Sequence, residues 1–450
     1  MANKISVVIP AYNGGTQLDE CLSALARLAT APSEIIVVDD GSTDGSIQKA
    51  HARGVRVLTT SGRQGPAAAR NIGAQAASGD VVFFLDADVC VHEDATDRLA
   101  VAFSDPGIDA VIGSYDDDPS SPDFLSQYKN LMHCFVHQNA RSQASTFWSG
   151  CGAIRREVFL TMSGFDASYK RPAIEDIELG YRLRQAGRKI LLDRDLRVKH
   201  LKKWTFWGLL KTDVLDRGIP WTELILRDQR MPNDLNLQIS QRVSIGLVYL
   251  MLLYAAEHAL RYGAYALLPL VTILFILLGS FWSDGAEQRS LGVCVAMIAG
   301  AAAIVLCAWR VHQRGLIPLV VAIVPLLFLR HRYDKRGGRW DSLNTWFHGV
   351  YIVVVIAVSM LYLKDKYFIT AVVTGVLVLA TLNNGFYLFL SEKRGRLFAL
   401  AAFPFHLLYH FYNGASFVMG SLLWSARAMK ARTTDGTPER AAGAFPPPGE

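Results

Sequence analysis

Through residues 1–200, short apolar runs closed by polar residues alternate with amphipathic stretches; from Val243 onward, long apolar stretches take over. The runs Ile5-Ser6-Val7-Val8-Ile9, Glu34-Ile35-Ile36-Val37-Val38 and Val81-Val82-Phe83-Phe84-Leu85 have the length and the β-branched or aromatic content of strands. The first is expected to stop at Pro10, which has no N–H to extend a ladder. Between the runs, Leu18, Leu22, Leu25 and Leu28 recur at helical spacing, and residues 67–77 are rich in helix formers. Strands alternating with helices at this rhythm predict an α/β fold with a doubly wound, mostly parallel sheet. Such sheets bind ligands beyond the carboxyl ends of their strands.

Three strand ends carry polar loops, at residues 10–15, 39–44 and 86–88. In an extended strand alternate side chains share a face, so Asp86 and Asp88 project together past the third run. Two carboxylates held there suit a hard divalent cation carrying phosphates. Asp40 could accept a hydrogen bond from a base imide, Asp39 could reach base or ribose, and Arg63 and Arg70 could meet phosphate or base with their planar forks. A turn with a helix cap accounts for Asp39-Asp40-Gly41-Ser42 equally well on composition. No Gly-rich loop ends in Lys-Ser/Thr and no Gly-x-Gly-x-x-Gly follows a strand, which argues against P-loop ATPases and Rossmann dehydrogenases. Farther on, Ile174-Glu175-Asp176-Ile177-Glu178-Leu179 reads as a helix that opens with acids, as the helix dipole favours, and closes at Gly187.

The segments Ser6-Val7-Val8-Ile9-Pro10-Ala11-Tyr12-Asn13, Val38-Asp39-Asp40-Gly41-Ser42, Ala69-Arg70-Asn71-Ile72-Gly73 and Asp86-Ala87-Asp88 together resemble family 2 glycosyltransferases of the GT-A fold. The resemblance covers roughly the first half of the chain and implies an inverting transferase using a nucleotide-diphosphate sugar, with UDP as the expected carrier. It implies nucleotide contacts from Pro10, Ala11, Tyr12, Asp39, Asp40, Arg63, Arg70 and Asp86, and Mn²⁺ or Mg²⁺ held by Asp88, Asp86 and His200. It makes Asp176 the base towards the acceptor, with Glu175 as its neighbour, although Ile174 stands where some relatives have Thr. Trp148, Gly150 and Asp166 are candidates for contact with acceptor or donor sugar, though packing explains Trp148 as readily. A base is needed by an alcohol and not by an anionic phosphate, so the expected acceptor is a hydroxyl of a membrane lipid or lipid-linked saccharide. Transfer to polyprenyl phosphate is the alternative. A processive polysaccharide synthase is a second alternative, against which stands Arg217-Gly218-Ile219-Pro220-Trp221 in place of that group's Gln-x-x-Arg-Trp. A non-enzymatic scaffold with a retired transferase module is disfavoured by the intact acids.

The second half predicts an all-α polytopic transmembrane domain over 243–430. Residues 265–282, 291–309, 346–363 and 368–390 are each about 18 or more residues long and nearly free of charge. Residues 243–260 and 316–329 are weaker candidates, and 397–424 is either a span or a surface-lying hairpin. Basic clusters at 330–339 and 393–396 read as cytoplasmic, which puts the catalytic module, residues 1–200, in the cytosol. The expected location is the cytoplasmic membrane of a bacterium, with no cleavable signal ahead of the first strand. Lys202-Lys203-Trp204-Thr205-Phe206-Trp207 within 201–242 suits an amphipathic helix at the membrane surface, and the Pro-, Ala- and Gly-rich 431–450 suits a disordered tail. The net charge of +6 fits contact with anionic headgroups and not nucleic acid. Six scattered cysteines without a C-x-x-C pair fit a reducing compartment.

Overall fold

The computed structural model describes residues 3–262 and 366–435. The chain divides into two units, one comprising Met1–Arg242 with a return from Tyr412, the other spanning Val243–Phe411.

The first unit holds an eight-stranded sheet in the order β3-β2-β1-β4-β7-β6-β8-β5. Its strands are β1 (Ile5–Ala11), β2 (Glu34–Asp39), β3 (Arg56–Thr59), β4 (Val81–Leu85), β5 (Val89–Val91), β6 (Ala110–Tyr115), β7 (Cys151–Arg155) and β8 (Ile190–His200). The helices of its amino-terminal part are α1 (Gly15–Leu25), α2 (Ser46–Ala52), α3 (Pro66–Ala76), α4 (Ala95–Ala102), α5 (Phe124–Asn139), α6 (Arg156–Thr161) and α7 (Glu175–Gln185). The three expected strands and the helices around Leu18 to Leu25 and Ala67 to Ala76 are present. Pro10 does not end the first strand, which runs on to Ala11 with Pro10 opposite Val38. The reason lies in the pleat. Ile5 and Ala11 present their carbonyls to the β2 side, and Lys4 presents its own to β4. Even-numbered residues therefore face β4, whose pairing with β1 ends at Val8, so the missing N–H of Pro10 breaks no ladder bond.

The sheet is less parallel than the sequence rhythm predicts. β3, β2, β1 and β4 pair in parallel, but β7 is antiparallel to both β4 and β6, and β5 is antiparallel to β8. The principal core packs Val8, Ile36, Val38, Phe84, Ile112 and Ile154 of the sheet against Ala69 and Ala74 of α3 and Leu179 and Leu183 of α7. Phe84, Phe159 and Phe165 meet with ring centroids 5.1–5.2 Å apart. At Gly73 a β-carbon would lie 2.4 Å from Val8 Cγ1, so α3 can sit this close to β1 only with glycine there.

After β8 the chain does not form a helix from Lys202. Residues 202–205 are irregular, Trp204 is buried with Lys202 Nζ 4.2 Å from its ring centre, and α8 covers only Phe206–Lys211. A π-helical turn, Thr212–Gly218, leads into α9 (Ile219–Asp228).

In the second unit α10 (Ile239–Tyr262) contains Ile239–Arg261, which is long and apolar enough to cross a membrane by length and composition. The span expected over 368–390 is not one straight helix. It divides into α11 (Lys366–Leu382) and α12 (Asn384–Arg394), bent by 71°. Buried Asn383 sits at the break, where its amide nitrogen donates to Ser244 Oγ and Leu379 O, both at 2.9 Å, in competition with the helical ladder. The stretch 397–424 lies in α13 (Arg396–Asp435), a single helix with Pro404 inside it and no hairpin. This helix runs into the stretch expected as a disordered tail, of which 436–450 lie outside the described residues. So do the candidate spans 265–282, 291–309 and 346–363, the stretch 316–329 and the basic loop 330–339.

Candidate active site

The loops beyond β1 and β2 are tied together. Ser42 Oγ accepts from the Asn13 N–H at 3.0 Å, Asn13 Oδ1 accepts from the Thr43 N–H at 2.8 Å, and Asp39 Oδ1 accepts from the Ser42 N–H at 2.8 Å. Buried Asp40 holds the next loop. Its Oδ1 accepts from the Gln64 N–H at 2.7 Å and the Thr60 hydroxyl at 2.9 Å, and its Oδ2 from the Gly65 N–H at 2.8 Å. That loop carries Arg63, whose guanidinium carbon lies 4.1 Å from the ring centre of exposed Tyr12. Pro10 and Ala11, at the end of β1, lie just before Tyr12.

Arg70 projects from α3 and is buried above the aromatic cluster, 5.7 Å from the Phe165 ring centre. It donates to Asp86 Oδ1 at 2.6 Å and to Glu175 Oε1 at 2.9 Å. One guanidinium thus joins the strand-end acids to the start of α7. The two acids of α7 differ. Glu175 is buried, whereas Asp176 is partly accessible. Asp176 Oδ2 accepts from the Ser149 N–H at 3.0 Å and the Ser149 hydroxyl at 3.1 Å. Gly150 O in turn accepts from the Asp86 N–H at 3.3 Å. The 147–150 loop reaches this edge because β7 is reversed, so that its beginning and not its end lies beside the carboxyl end of β4. Asp166 Oδ1 accepts from the Ser168 N–H at 2.9 Å and touches none of these groups.

On the far side of Asp86, Asp88 Oδ2 lies 3.7 Å from His200 Nε2. Tyr115 stacks on His200 at 4.4 Å between centroids and meets Trp148 edge-on at 4.8 Å. Among the described residues no three His, Cys, Asp or Glu side chains close into a metal cage. Asp88 and His200 form an open corner of one hard oxygen and one imidazole nitrogen, a donor pair that fits a divalent cation completing its shell with diphosphate oxygens.

The electrostatics agree with that fit. Burial pushes the Asp86 carboxyl above its ordinary range against the pull of Arg70, and raises Glu175 in the same way. Burial works upward on Asp88 as well, but His200 and Lys202 outweigh it and hold this carboxyl low. Two carboxylates, Asp86 and Glu175, share the one guanidinium of Arg70, with Asp88 and Asp176 close by on other partners. Sequence reasoning did not single out Ser149, which fixes Asp176, or Tyr115, which orients His200. A lone Ser in a loop and a Tyr at a strand end carry no spacing signal.

Residues 6–162 match the model of the family described as Glycosyl transferase family 2. It is 38% identical over 120 residues to "Glycosyltransferase GlyG" of Streptococcus pneumoniae serotype 4, a match covering 26% of this chain and 40% of that protein. It is 27% identical over 236 residues to "O-antigen chain rhamnosyltransferase RfbN" of Salmonella typhimurium, covering 49% of this chain and 74% of that protein. Among solved structures, Staphylococcus aureus TarS 1-349 in complex with UDP-GlcNAc matches at 20% identity and a TM-score of 0.37, over 45% of this chain and 59% of that one. The chain thus spans about two-fifths of the length of GlyG, with a 34%-identical "Glycosyltransferase AglE" of Haloferax volcanii similar at 38%.

Proposed function

We propose that this protein is an inverting glycosyltransferase that moves one sugar from a nucleotide-diphosphate donor, UDP-linked in the first instance, to a hydroxyl on a membrane lipid or lipid-linked saccharide. The observation that carries the reading is the Arg70 bridge, which joins the strand-end acid Asp86 to the helix that presents Asp176. A site of this kind has a donor side and an acceptor side in fixed register.

Tyr12 and Arg63 form one wall for the base, with Asp39 and Asp40 shaping the loops around it. Asp88 and His200, with Asp86 beside them, would hold Mn²⁺ or Mg²⁺. When bound, that ion offsets the charge that develops on the departing diphosphate. Asp176 takes the proton of the attacking hydroxyl, and Ser149 keeps its carboxylate turned towards the site. Attack opposite the leaving group inverts the anomeric centre. Glu175, buried under Arg70, positions the start of α7. Trp148 and Gly150 border the space for the sugars. The helices of the second unit anchor the enzyme in a membrane, with the catalytic unit on the cytosolic side where nucleotide sugars are made.

The test is a donor screen with the full chain in native lipid extract, with Mn²⁺ or Mg²⁺, following nucleotide release and lipid products by mass spectrometry. The expected product is a lipid heavier by one sugar. Asp176→Asn should slow its formation by roughly two to four orders of magnitude while leaving nucleotide binding intact. A ladder of products, or transfer undiminished in Asp176→Asn, would overturn the reading.

A further inference from the structure

Behind the loop that carries Ser149, the first unit has a half-open cavity of about 250 Å³ lined by Ser145, Tyr181, Arg184, Arg230, Met231 and Pro232. Three stretches of chain build it. The second half of α7 supplies Tyr181 and Arg184, and Ser145 stands at the root of the 147–150 loop. The third stretch follows α9, where Gln229 takes a left-handed conformation with φ 49° and the Arg230 N–H donates to Ile225 O at 3.2 Å. Arg242 pins this stretch by donating to Pro232 O at 2.8 Å and Leu237 O at 2.9 Å. Buried Asp234 ties it to the loop root, accepting from the Ser145 N–H and hydroxyl, both at 3.1 Å. Asp176 lies eight residues before Arg184, about 12 Å along α7. Between them a β-carbon at Gly180 would run into Phe147 N, so helix and loop are in contact between the cavity and the candidate active site.

The wall is mainly apolar, and two arginines stand in it. Neither pairs with a carboxylate among the described residues: Arg184 Nη1 donates to Arg188 O at 3.2 Å, and the Arg230 side chain makes no hydrogen bond. The carboxylates nearby are taken by other groups. Both oxygens of Asp228 accept from Arg227, at 2.7 and 3.3 Å, and both oxygens of Glu178 accept from Arg182 at 2.9 Å. Asp234 holds the Arg141 N–H as well as Ser145. The hydroxyl of buried Tyr181 accepts from Trp221 Nε1 at 3.2 Å and keeps its own hydrogen to donate. An apolar wall that carries two cations suits an amphipathic anion. A phosphate monoester has a charge of about −1.5 to −2 at neutral pH and three strong acceptor oxygens, a closer match to two guanidinium forks than a singly charged carboxylate. The volume falls below the roughly 300–1,000 Å³ of sites for drug-sized ligands, which limits the occupant to a compact body.

We infer that this cavity is a binding site for a phosphate monoester on a compact apolar body, with Arg184 and Arg230 holding the phosphate and Met231 and Pro232 packing on the body. It shares no lining residue with the candidate active site, and its occupancy requires no transfer step.

Calorimetric titration of the full chain in neutral detergent tests the assignment, with phenyl phosphate, phenol, inorganic phosphate and benzoate as probes. Phenyl phosphate should bind at least about tenfold more tightly than each of the other three, the effect of one charge-assisted contact. Arg184→Gln and Arg230→Gln should each weaken it about tenfold. Met231→Ser, which leaves both guanidiniums in place, should weaken phenyl phosphate and leave inorganic phosphate unchanged. UDP should not displace phenyl phosphate. Phenyl phosphate binding no tighter than phenol, or unaltered when both arginines are replaced, would overturn the proposal. Benzoate binding as tightly would make the site one for carboxylates, and displacement by UDP would put the probe in the donor site; either result overturns it too.

Discussion

In β3, β2, β1 and β4 every ladder is parallel, and the polar groups of the candidate site lie just past the carboxyl ends of the strands; across β7, β6, β8 and β5 the pairing is mixed, and the site draws on a loop before a strand, a helix start and the end of β8. The first half holds its loops by bonds within a loop, such as Asp39 to Ser42, and between neighbouring loops no more than about 30 residues apart, such as Asn13 to Thr43 and Asp40 to Gly65. The second half depends on partners distant in the chain, Arg70 with Glu175 and Lys129 with Asp213. Parallel winding delivers one kind of position repeatedly, whereas a reversed strand lets a different part of the chain reach the same edge.

Arg70 is where the halves join, and its removal should have the largest effect. Arg70→Met leaves buried Glu175, and beside it half-buried Asp86, without their shared cation and should destabilise the full chain by about 3 kcal/mol, read by denaturant titration of the catalytic unit's signal. A loss below about 1 kcal/mol would mean that the halves hold together without the bridge. Next in size, Ser149→Ala acts on the acceptor half alone. It removes the hydroxyl donor to Asp176 and keeps the backbone one, so the transfer rate should fall by about tenfold with donor KM unchanged. An equal change in donor KM would erase the division of labour between the halves.

The smallest effect belongs to the donor half. Burial works to raise Glu34, but the Ser78 hydroxyl and N–H, the Ser6 hydroxyl and Arg56 outweigh it and hold its carboxyl at about 2 against an ordinary 4.5. An acid held low in the folded state stabilises it above its unfolded value, and the contribution is lost as pH falls through the folded one. Stability should therefore decline between pH 4.5 and about 2, and Glu34→Gln should flatten that part of the profile. An unchanged slope would show that these surface bonds contribute nothing.

The same contrast governs what could be read from the chain alone. Apolar runs ending in Asp39, Asp40, Asp86 and Asp88 announce parallel strands and their loops, because a strand buried on both faces leaves a continuous apolar signature. The helix beginning at Glu175 was legible from its acids and from the glycine after its end. The reversal of β7 was not legible, since Cys151-Gly152-Ala153-Ile154-Arg155 has no feature that sets its direction. Nor was the pairing of Lys129 with Asp213 and Tyr412, because it joins three segments whose proximity exists only after folding. The helix expected from Lys202 failed for a definite reason. Trp204 is buried, and its backbone N–H donates to Ser126 Oγ at 2.8 Å.

Seen as a problem of synthesis, the position of β4 has a cost in time. A growing chain offers β1, β2, β3 and β4 early, but the second edge of Val81–Leu85 finds its partner only when Cys151–Arg155 has emerged. Until then five consecutive apolar residues line an open strand edge, the kind of template on which other chains aggregate. The π-helical turn Thr212–Gly218 is fastened later still, because Tyr412 is translated long after the Asp213 it must meet. A ribosome that stalls between these points holds a half-sheet whose most adhesive strand is bare.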